Sequence, residues 1–349
     1  MSQIDSVITS ENDDEPVDQK TQLSSYWPVV KLVVFVIVLA FIGRRAFQLW
    51  KLAPPKSIQI NAWWLIPAAL SYLIGWFPSI WFWRATLRHL QQPLDWWTAI
   101  RAYHVGQIGK YVPGKAMVLI IRGSLTKSAN VNPVLAGVTA AYESLVFIAT
   151  GAMLGLALAP SALGPTFSKW LPIQLNWLQK QPLLWPVVVI IATFATTPIS
   201  SWLFTIVGRK VIPGQKRNGD NPPSISAGLI SQGIVVMTLG WICHAFSLGF
   251  VLQSLSNARF KLTLFPVWLA SASLSLVGGF LVLIAPGGIG VREGILVEAL
   301  KDHPEIGPAT ALIAAGLLRV VWFVTELIAA AVLFLAKTKR QSLSTDSSD

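Results

Sequence analysis

Four basic residues lie in stretches that are otherwise apolar enough for the interior of a membrane: Lys115, Arg122, Arg292 and Arg319. A charge at the bilayer centre costs roughly 2.5–3.5 kcal/mol on insertion scales, and such residues often mark a substrate path. Arginine binds a phosphate through paired hydrogen bonds, whereas lysine binds it as a point charge. We therefore predict that these four cations bind an anionic, phosphate-bearing group.

Glycines accompany these cations. Gly114 follows Pro113, and Gly287, Gly288 and Gly290 follow Pro286. A helix broken in this way frees backbone groups, which are tolerated at membrane depth only where protein buries them or where they line a wet cavity. Backbone amides at the start of a short helix also cradle phosphate. These glycines are therefore predicted to let the backbone approach the ligand.

Three acidic residues are the predicted charge partners of the cations. Glu143 and Glu326 each lie inside a long apolar segment, and Glu326 is two turns beyond Arg319 on the same helix face. We expect ion pairs among Glu143, Glu326 and the buried cations, because an unpaired ion at that depth is disfavoured. Glu293 follows Arg292 directly and is expected to pair elsewhere or to cap a short helix. The carboxylates then hold the cations in place or couple to protons; the alternative is that all these charges only tie helices together.

The elements that must position these residues are helices long enough to cross a membrane. Long apolar segments are predicted at 29–49, 62–83, 133–159, 183–207, 225–255, 264–285 and 307–336. Two further segments, about 100–125 and 286–300, are interrupted by Pro-Gly. Fifteen helical residues extend only ~22 Å, less than the ~30 Å hydrocarbon core, so the second segment is predicted to be re-entrant or broken. The first spans only if Pro113-Gly114 does not interrupt it.

The two interrupted segments resemble each other. Each has Pro-Gly, then a basic residue, then an apolar helix, and each precedes a long helix with buried charge. Matching interruptions in two halves are the sequence pointer to a transporter binding site. We therefore predict an internal duplication, with chance recurrence of Pro-Gly as the alternative.

Composition indicates a membrane protein. Apolar residues make up 53% of the chain and charged residues 12%, compared with about 25% charged residues in soluble proteins. The predicted fold is an all-α integral membrane bundle of about seven to eight transmembrane helices with two re-entrant or broken segments. Its domains are a disordered acidic tail at 1–25, a single transmembrane domain at 26–338, and a disordered tail at 339–349. Both ends are predicted to be cytoplasmic, and the net charge of +11 is attributed to loops beside anionic headgroups.

Enzymatic and nucleic-acid functions have little support in this sequence. The histidines are scattered without metal-ligand spacing, Cys243 is the only cysteine, and no basic soluble domain is visible. No nucleophile elbow or Walker A loop occurs. We therefore expect neither a metal nor a cofactor, and no nucleic-acid partner.

The strings Tyr111-Val112-Pro113-Gly114-Lys115 and Pro286–Gly294, with Arg122 and Arg319, resemble the lysylphosphatidylglycerol synthase transmembrane-region family. The resemblance covers about residues 29–336. It implies pseudo-symmetric halves, re-entrant helices and a lipid-translocating cavity. Glu143 matches an acidic residue of the family that is often followed by arginine, whereas Ser144 follows it here. The aminoacyl-transferase domain of two-function members is absent from this sequence, so lipid aminoacylation is not expected.

The favoured hypothesis is a flippase-like lipid translocase that moves an anionic phospholipid or a polyprenyl-phosphate-linked saccharide between leaflets. The alternatives are a non-transporting accessory protein bound to an enzyme of envelope biosynthesis, and a lipid-modifying enzyme. The expected location is a bacterial inner membrane, where membrane lipids are the partners.

Overall fold

The computed structural model describes residues 60–111, 116–163, 183–211, 224–256, 259–282 and 286–345, together with Arg44, Phe47 and Gln181. The predicted N-terminal tail, most of the apolar segment 29–49, and Gly114 and Lys115 lie outside these residues.

Within the described ranges the chain forms α-helices and short 3₁₀ turns. The α-helices are α1 (Leu65–Ile74), α2 (Phe77–His89), α3 (Trp96–Gln107), α4 (Ala116–Thr126), α5 (Pro133–Leu163), α6 (Leu184–Ala195), α7 (Thr197–Val211), α8 (Ala227–Ser254), α9 (Phe265–Leu281), α10 (Val291–Leu300) and α11 (Gly307–Thr345). Polar side chains start several of them: Asp95 caps α3 by accepting from Thr98 N at 2.9 Å, and Ser226 caps α8. The last helix continues to Thr345 and thus extends into the predicted C-terminal tail.

Among the described residues, six stretches are long and apolar enough to cross a membrane. They are Ala62–His89, Pro133–Leu163, Leu184–Gly208, Ala227–Ser254, Leu262–Leu281 and Gly307–Ala336. They correspond to six of the seven predicted apolar segments. The chain is therefore an all-α, multi-pass integral membrane protein, as its composition predicted.

The first interrupted segment is an antiparallel helical hairpin formed by α3 and α4, the first hairpin. A Cβ on Gly106 would lie 2.7 Å from Arg122 Cγ, and one on Gly109 would lie 2.7 Å from Val118 N. As the first arm advances from Gly106 to Gly109, its contact on α4 moves back from Arg122 to Val118. The two arms therefore run in opposite directions. Asn132 N donates to Gln92 Oε1 at 2.9 Å across the open end. The segment therefore begins and ends on the same side of the bundle.

The second interrupted segment has the same construction. Helices α9 and α10 form the second hairpin, in which Ser275 Oγ donates to the carbonyl oxygen of Arg292 at 2.8 Å and Gly279 faces the Arg292 side chain. An ion pair of 2.7 Å between Lys261 and Glu305 joins the open end. The predicted re-entrant segment 286–300 is thus the return arm of a hairpin that starts with α9.

The two hairpins enter from opposite sides. Helices α1 and α2 run antiparallel to α8, as three contacts show. Asn61 N donates to Ser254 O at 2.8 Å, and Ser247 Oγ donates to Ala68 O at 2.8 Å. Farther along, a Cβ on Gly240 would lie 2.5 Å from Gly75 O. Helix α2 leads into the first hairpin and α8 leads into the second. The order of span, hairpin and span therefore occurs twice with inverted topology, which agrees with the predicted duplication and adds its inversion.

Aromatic packing fills the centre of the bundle between these halves. Trp241 stacks on Phe147 with ring centroids 4.4 Å apart, and Tyr72 stacks on Trp322 at 4.7 Å. Indole nitrogens donate to polar groups inside the bundle, as Trp322 Nε1 does to Ser247 Oγ at 2.9 Å. Between helices in lipid, close packing and such hydrogen bonds replace the hydrophobic driving force.

Candidate functional site

The tips of the two hairpins meet inside the bundle. A Cβ on Gly287, at the tip of the second hairpin, would lie 2.9 Å from Arg319 Nη2 and 3.3 Å from the Tyr111 ring at the tip of the first. A cavity of about 420 Å³ lies between the hairpins, and we call it the inter-hairpin cavity. Its polar lining includes Gln107, Lys110, Arg122, Glu143, Ser144 and Arg292.

The glycine-rich tip of the second hairpin forms part of this wall. Pro286–Gly288 is a 3₁₀ turn, and Gly287 and Gly288 line the cavity with φ values of 61° and 69°. Gly290 differs from the prediction, because its amide donates to Glu293 Oε2 at 2.5 Å. That amide is occupied by the cap of α10 and is not free for a ligand. Glu293 thus fulfils the predicted capping role.

Arg122 and Glu143 form the first buried charge cluster. Arg122 Nη1 donates to Glu143 Oε2 at 2.9 Å, and the two side chains are 2% and 1% exposed. The Tyr103 hydroxyl donates to Glu143 Oε1 at 3.2 Å, and the Arg122 guanidinium lies 3.8 Å from the centroid of the Tyr103 ring. The predicted pairing of Glu143 is confirmed, with Arg122 as its partner.

Glu326 is the centre of the second cluster. It accepts hydrogen bonds from Tyr72, from the Lys110 ammonium, and from the Tyr111 hydroxyl, the last at 2.9 Å. Lys110 was not among the predicted site residues. The sequence did contain a signal for this residue, because Lys110 directly precedes the Tyr-Val-Pro-Gly-Lys string. Its depth within the apolar segment, however, did not distinguish it from neighbouring residues.

Arg319 lies beside the contact between the tips and not in the cavity wall. Its Nε is 3.6 Å from Glu293 Oε1, and its guanidinium lies 5.5 Å from the centroid of the Tyr111 ring. Arg319 and Glu326 both contact Tyr111, which agrees with their predicted common helix face. The structure therefore places Arg319 where it supports the second hairpin's tip.

Arg292 differs from the other three basic residues of the site. Its side chain packs against Gly279 and Gly288 and lines the cavity. Its Nε is buried without a hydrogen-bond partner, as Arg122 Nε also is. The difference is that, within the described part of the chain, no carboxylate lies within ion-pair distance of Arg292. Arg292 is thus a cavity cation that lacks a counter-ion among the described residues.

Arg292 and Arg122 occupy equivalent positions in the two hairpins. Each lies on the second arm, and its stem packs on a glycine of the first arm: Gly106 for Arg122 and Gly279 for Arg292. The repeat therefore brings two arginines to one cavity from opposite sides: Arg122 is ion-paired with Glu143, whereas Arg292 has no such partner in the part of the chain that the structure describes.

The described residues contain no group of three or more His, Cys, Asp or Glu side chains that is able to hold a metal ion. No match to this chain was found among curated proteins. Residues 29–330 match the family model described as the lysylphosphatidylglycerol synthase TM region. With two inverted hairpins around a basic cavity, and with this match over most of its length, the chain belongs to the lysylphosphatidylglycerol synthase transmembrane-region family.

Proposed function

We propose that this protein is a lipid translocase that moves a lipid with an anionic phosphate group, an anionic phospholipid or a polyprenyl-phosphate-linked saccharide, between leaflets. The observation that carries the proposal is Arg292, which has no carboxylate at ion-pair distance among the described residues and lies in a cavity between two inverted, broken hairpins. A charge at this depth without a protein counter-ion is costly, and a phosphate ligand removes that cost.

The residues around the cavity divide into two groups in this proposal. Arg292 binds the phosphate directly, and Gly287 and Gly288 let the backbone approach it, because they carry no side chain. The ion pairs of Arg122 with Glu143 and of Lys110 with Glu326 are close to neutral, so they hold the cavity wall in place and leave Arg292 as the cation for the phosphate. Lys115 and Gly114 lie outside the described residues and keep their predicted roles, as a cation for the phosphate and as a glycine that lets the backbone approach it.

Inverted repeats fit a transport cycle. In transporters of this construction the substrate binds near the bilayer midplane between the repeats, and access alternates as one repeat moves against the other. Here the tip contact between Tyr111 and Gly287 is the place where the two hairpins meet. The proposed cycle moves the phosphate past this contact while the hydrocarbon chains stay in the membrane, and no covalent reaction is required.

The test is a leaflet-resolved assay in proteoliposomes. Fluorescent phosphatidylglycerol and a fluorescent polyprenyl-phosphate saccharide serve as anionic probes, and phosphatidylcholine serves as the zwitterionic control. Arg292→Ala should abolish movement of the anionic probe while purification profile and helix content stay unchanged, and Arg292→Lys should retain part of it. Arg88→Ala removes an exposed charge at the end of α2 and serves as the matched control.

Full activity of Arg292→Ala would overturn the proposal. If the wild-type protein moves neither anionic probe but co-purifies with an enzyme of envelope biosynthesis, the accessory role replaces transport. New lipid species in mass spectra after incubation with donor substrates would instead indicate an enzyme. The proposed location, a bacterial inner membrane, is tested by membrane fractionation.

A further inference from the structure

A second cavity, which we call the lateral groove, lies on the outer side of α4 and α5. Its volume is about 750 Å³, and its walls come from α4, α5, α6, α7 and α8. Most of the lining is hydrocarbon, including Ile120, Val134, Leu145, Leu203, Phe204 and Val207. The volume falls in the range of sites that bury a whole small ligand.

The hydroxyl groups in the groove are already used. Ser200 and Tyr142 bond to each other at 2.7 Å, Thr193 donates to Val189 O, and Thr197 donates to Phe194 O. The wall therefore offers an occupant mainly apolar contact and few free donors. A hydrocarbon chain suits such a surface, whereas a polar headgroup loses its hydrogen bonds there.

The lateral groove adjoins the inter-hairpin cavity through a narrow seam. Leu119, Ala141 and Leu145 line both cavities. Toward the open end of the first hairpin, the backbones of α4 and α5 are in close contact. A Cβ on Gly123 would overlap Pro133 O, and one on Gly137 would lie 3.5 Å from Leu119 O. Leu145, which lies farther along α5 and lines both cavities, has a side chain that is 59% exposed.

The outer wall of the groove packs weakly on the rest of the bundle. Only 11% of the apolar window in Leu184–Gly208 is buried inside the protein, compared with 56% in Ala227–Ser254 and 50% in Pro133–Leu163. Helices α6 and α7 therefore bury little of their apolar surface against the rest of the protein, which leaves that surface available to lipid.

We infer that the lateral groove binds the hydrocarbon chain of the same lipid whose phosphate occupies the inter-hairpin cavity, and that the Leu119–Leu145 seam is the passage between them. This inference rests on the proposed function. It defines the substrate as a lipid whose chain enters sideways between α4 and α5 while its phosphate reaches Arg292.

Photo-crosslinking tests this assignment. A phosphatidylglycerol probe with a diazirine on its chain is incorporated into proteoliposomes, and labelled peptides are mapped after irradiation. Labelling is expected at residues 141–149 and 193–204 of the groove, and also on the lipid-facing side of α11 at Val320 and Leu327. Arg292→Ala should remove the groove labelling and leave the α11 labelling unchanged, because only the groove lipid depends on the phosphate site.

Four further variants make the result decisive. Leu145→Trp and Ala141→Trp fill the seam and should abolish both groove labelling and lipid movement. Leu239→Trp, at a lipid-facing position of α8 that is likewise 59% exposed, should change neither. Lys127 lies at one end of the groove, so Lys127→Ala tests whether a lipid sits there with its phosphate at that lysine.

Three results would show a separate bystander lipid and overturn the inference. They are groove labelling that survives Arg292→Ala, groove labelling that is equal with a phosphatidylcholine probe, and groove labelling that depends on Lys127 alone. Normal lipid movement by both seam variants would also overturn it. The proposed function fails separately, through an active Arg292→Ala protein in the translocation assay.

Discussion

Arg122 donates to Glu143 at 2.9 Å, and both side chains are almost completely buried. Arg292, which occupies the equivalent position in the second hairpin, has no carboxylate at ion-pair distance among the described residues. The inverted repeat thus places at the same cavity one arginine with an ion-pair partner and one with none among the residues described. This difference between equivalent positions underlies the assignment of Arg292, and not Arg122, as the direct phosphate ligand.

Removal of one partner of the Arg122–Glu143 pair should be strongly destabilising. Glu143→Gln leaves a buried arginine uncompensated, so we expect a loss of about 3–5 kcal/mol in the free energy of unfolding. The double variant Arg122→Met/Glu143→Leu should recover most of this loss, because no charge then remains buried. Thermal unfolding in detergent measures both. Glu305→Gln breaks the exposed pair with Lys261 and should cost at most about 1 kcal/mol; an equal cost at both sites would contradict the buried pair.

Lys110 should matter for the structure of the tip contact. Lys110→Met removes the ammonium that contacts Glu326 and leaves that carboxylate with two tyrosine hydroxyls. We expect a lower unfolding temperature, and Glu326→Gln in the same background should restore part of it because the unpaired charge is gone. Lys301→Met, at a peripheral i,i+3 pair with Glu298, is the control. Lack of any rescue would argue against a direct Lys110–Glu326 interaction.

A side chain at Gly279 should block function by displacing Arg292. An added Cβ would overlap Arg292 Cγ, which is not the free end of that side chain. Gly279→Ala should therefore abolish lipid movement in the proteoliposome assay. Gly316→Ala in α11 meets nothing within 4 Å and should leave movement intact while favouring the helix by roughly 0.5–1 kcal/mol. An active Gly279→Ala protein would mean that the position of Arg292 is unimportant.

Gly287 combines a positive φ with a close contact, and a matched control separates these effects. Gly287 has φ 61° and faces Arg319 and Tyr111, whereas Gly307 has φ 72° and open space around it. Each substitution by alanine carries backbone strain of about 1 kcal/mol. Gly287→Ala should destabilise more than Gly307→Ala in thermal unfolding and should also impair lipid movement. Equal effects of the two substitutions would show that the tips do not need close contact.

The crossing of the two halves depends on Gly240. A Cβ there would lie 2.5 Å from the carbonyl oxygen of Gly75 on the opposing helix, so the helices must separate. Gly240→Ala should lower the unfolding temperature by several degrees, as expected for a loss of more than 1 kcal/mol. Gly228→Ala in the same helix meets nothing within 4 Å and is the control. Equal unfolding temperatures would contradict this helix packing.

The class of fold, and the residues that stand out as candidates for function, follow from the order of apolar, charged and helix-breaking residues. Runs of apolar residues as long as Ala227–Ser254 admit only a membrane-spanning helix, because every backbone group is then satisfied within the segment. Charges and Pro-Gly breaks inside such runs are costly, so Arg122, Glu143, Arg292 and Glu326 stand out without any structure. The similarity of the two interrupted segments also predicted the repeat.

How these residues meet depends on the packing of the folded chain. Pairing of Glu143 with Arg122 depends on how two consecutive helices pack, and pairing of Glu326 with Lys110 joins segments more than 200 residues apart in the chain. Occupation of the Gly290 amide by Glu293 depends on the local turn geometry, which residue type alone does not specify. The opposite entry of the hairpins follows from the antiparallel packing of α1 and α2 on α8. A local pattern determines whether a segment is helical and apolar, whereas packing between distant segments determines which charge is neutralised and which remains for a ligand.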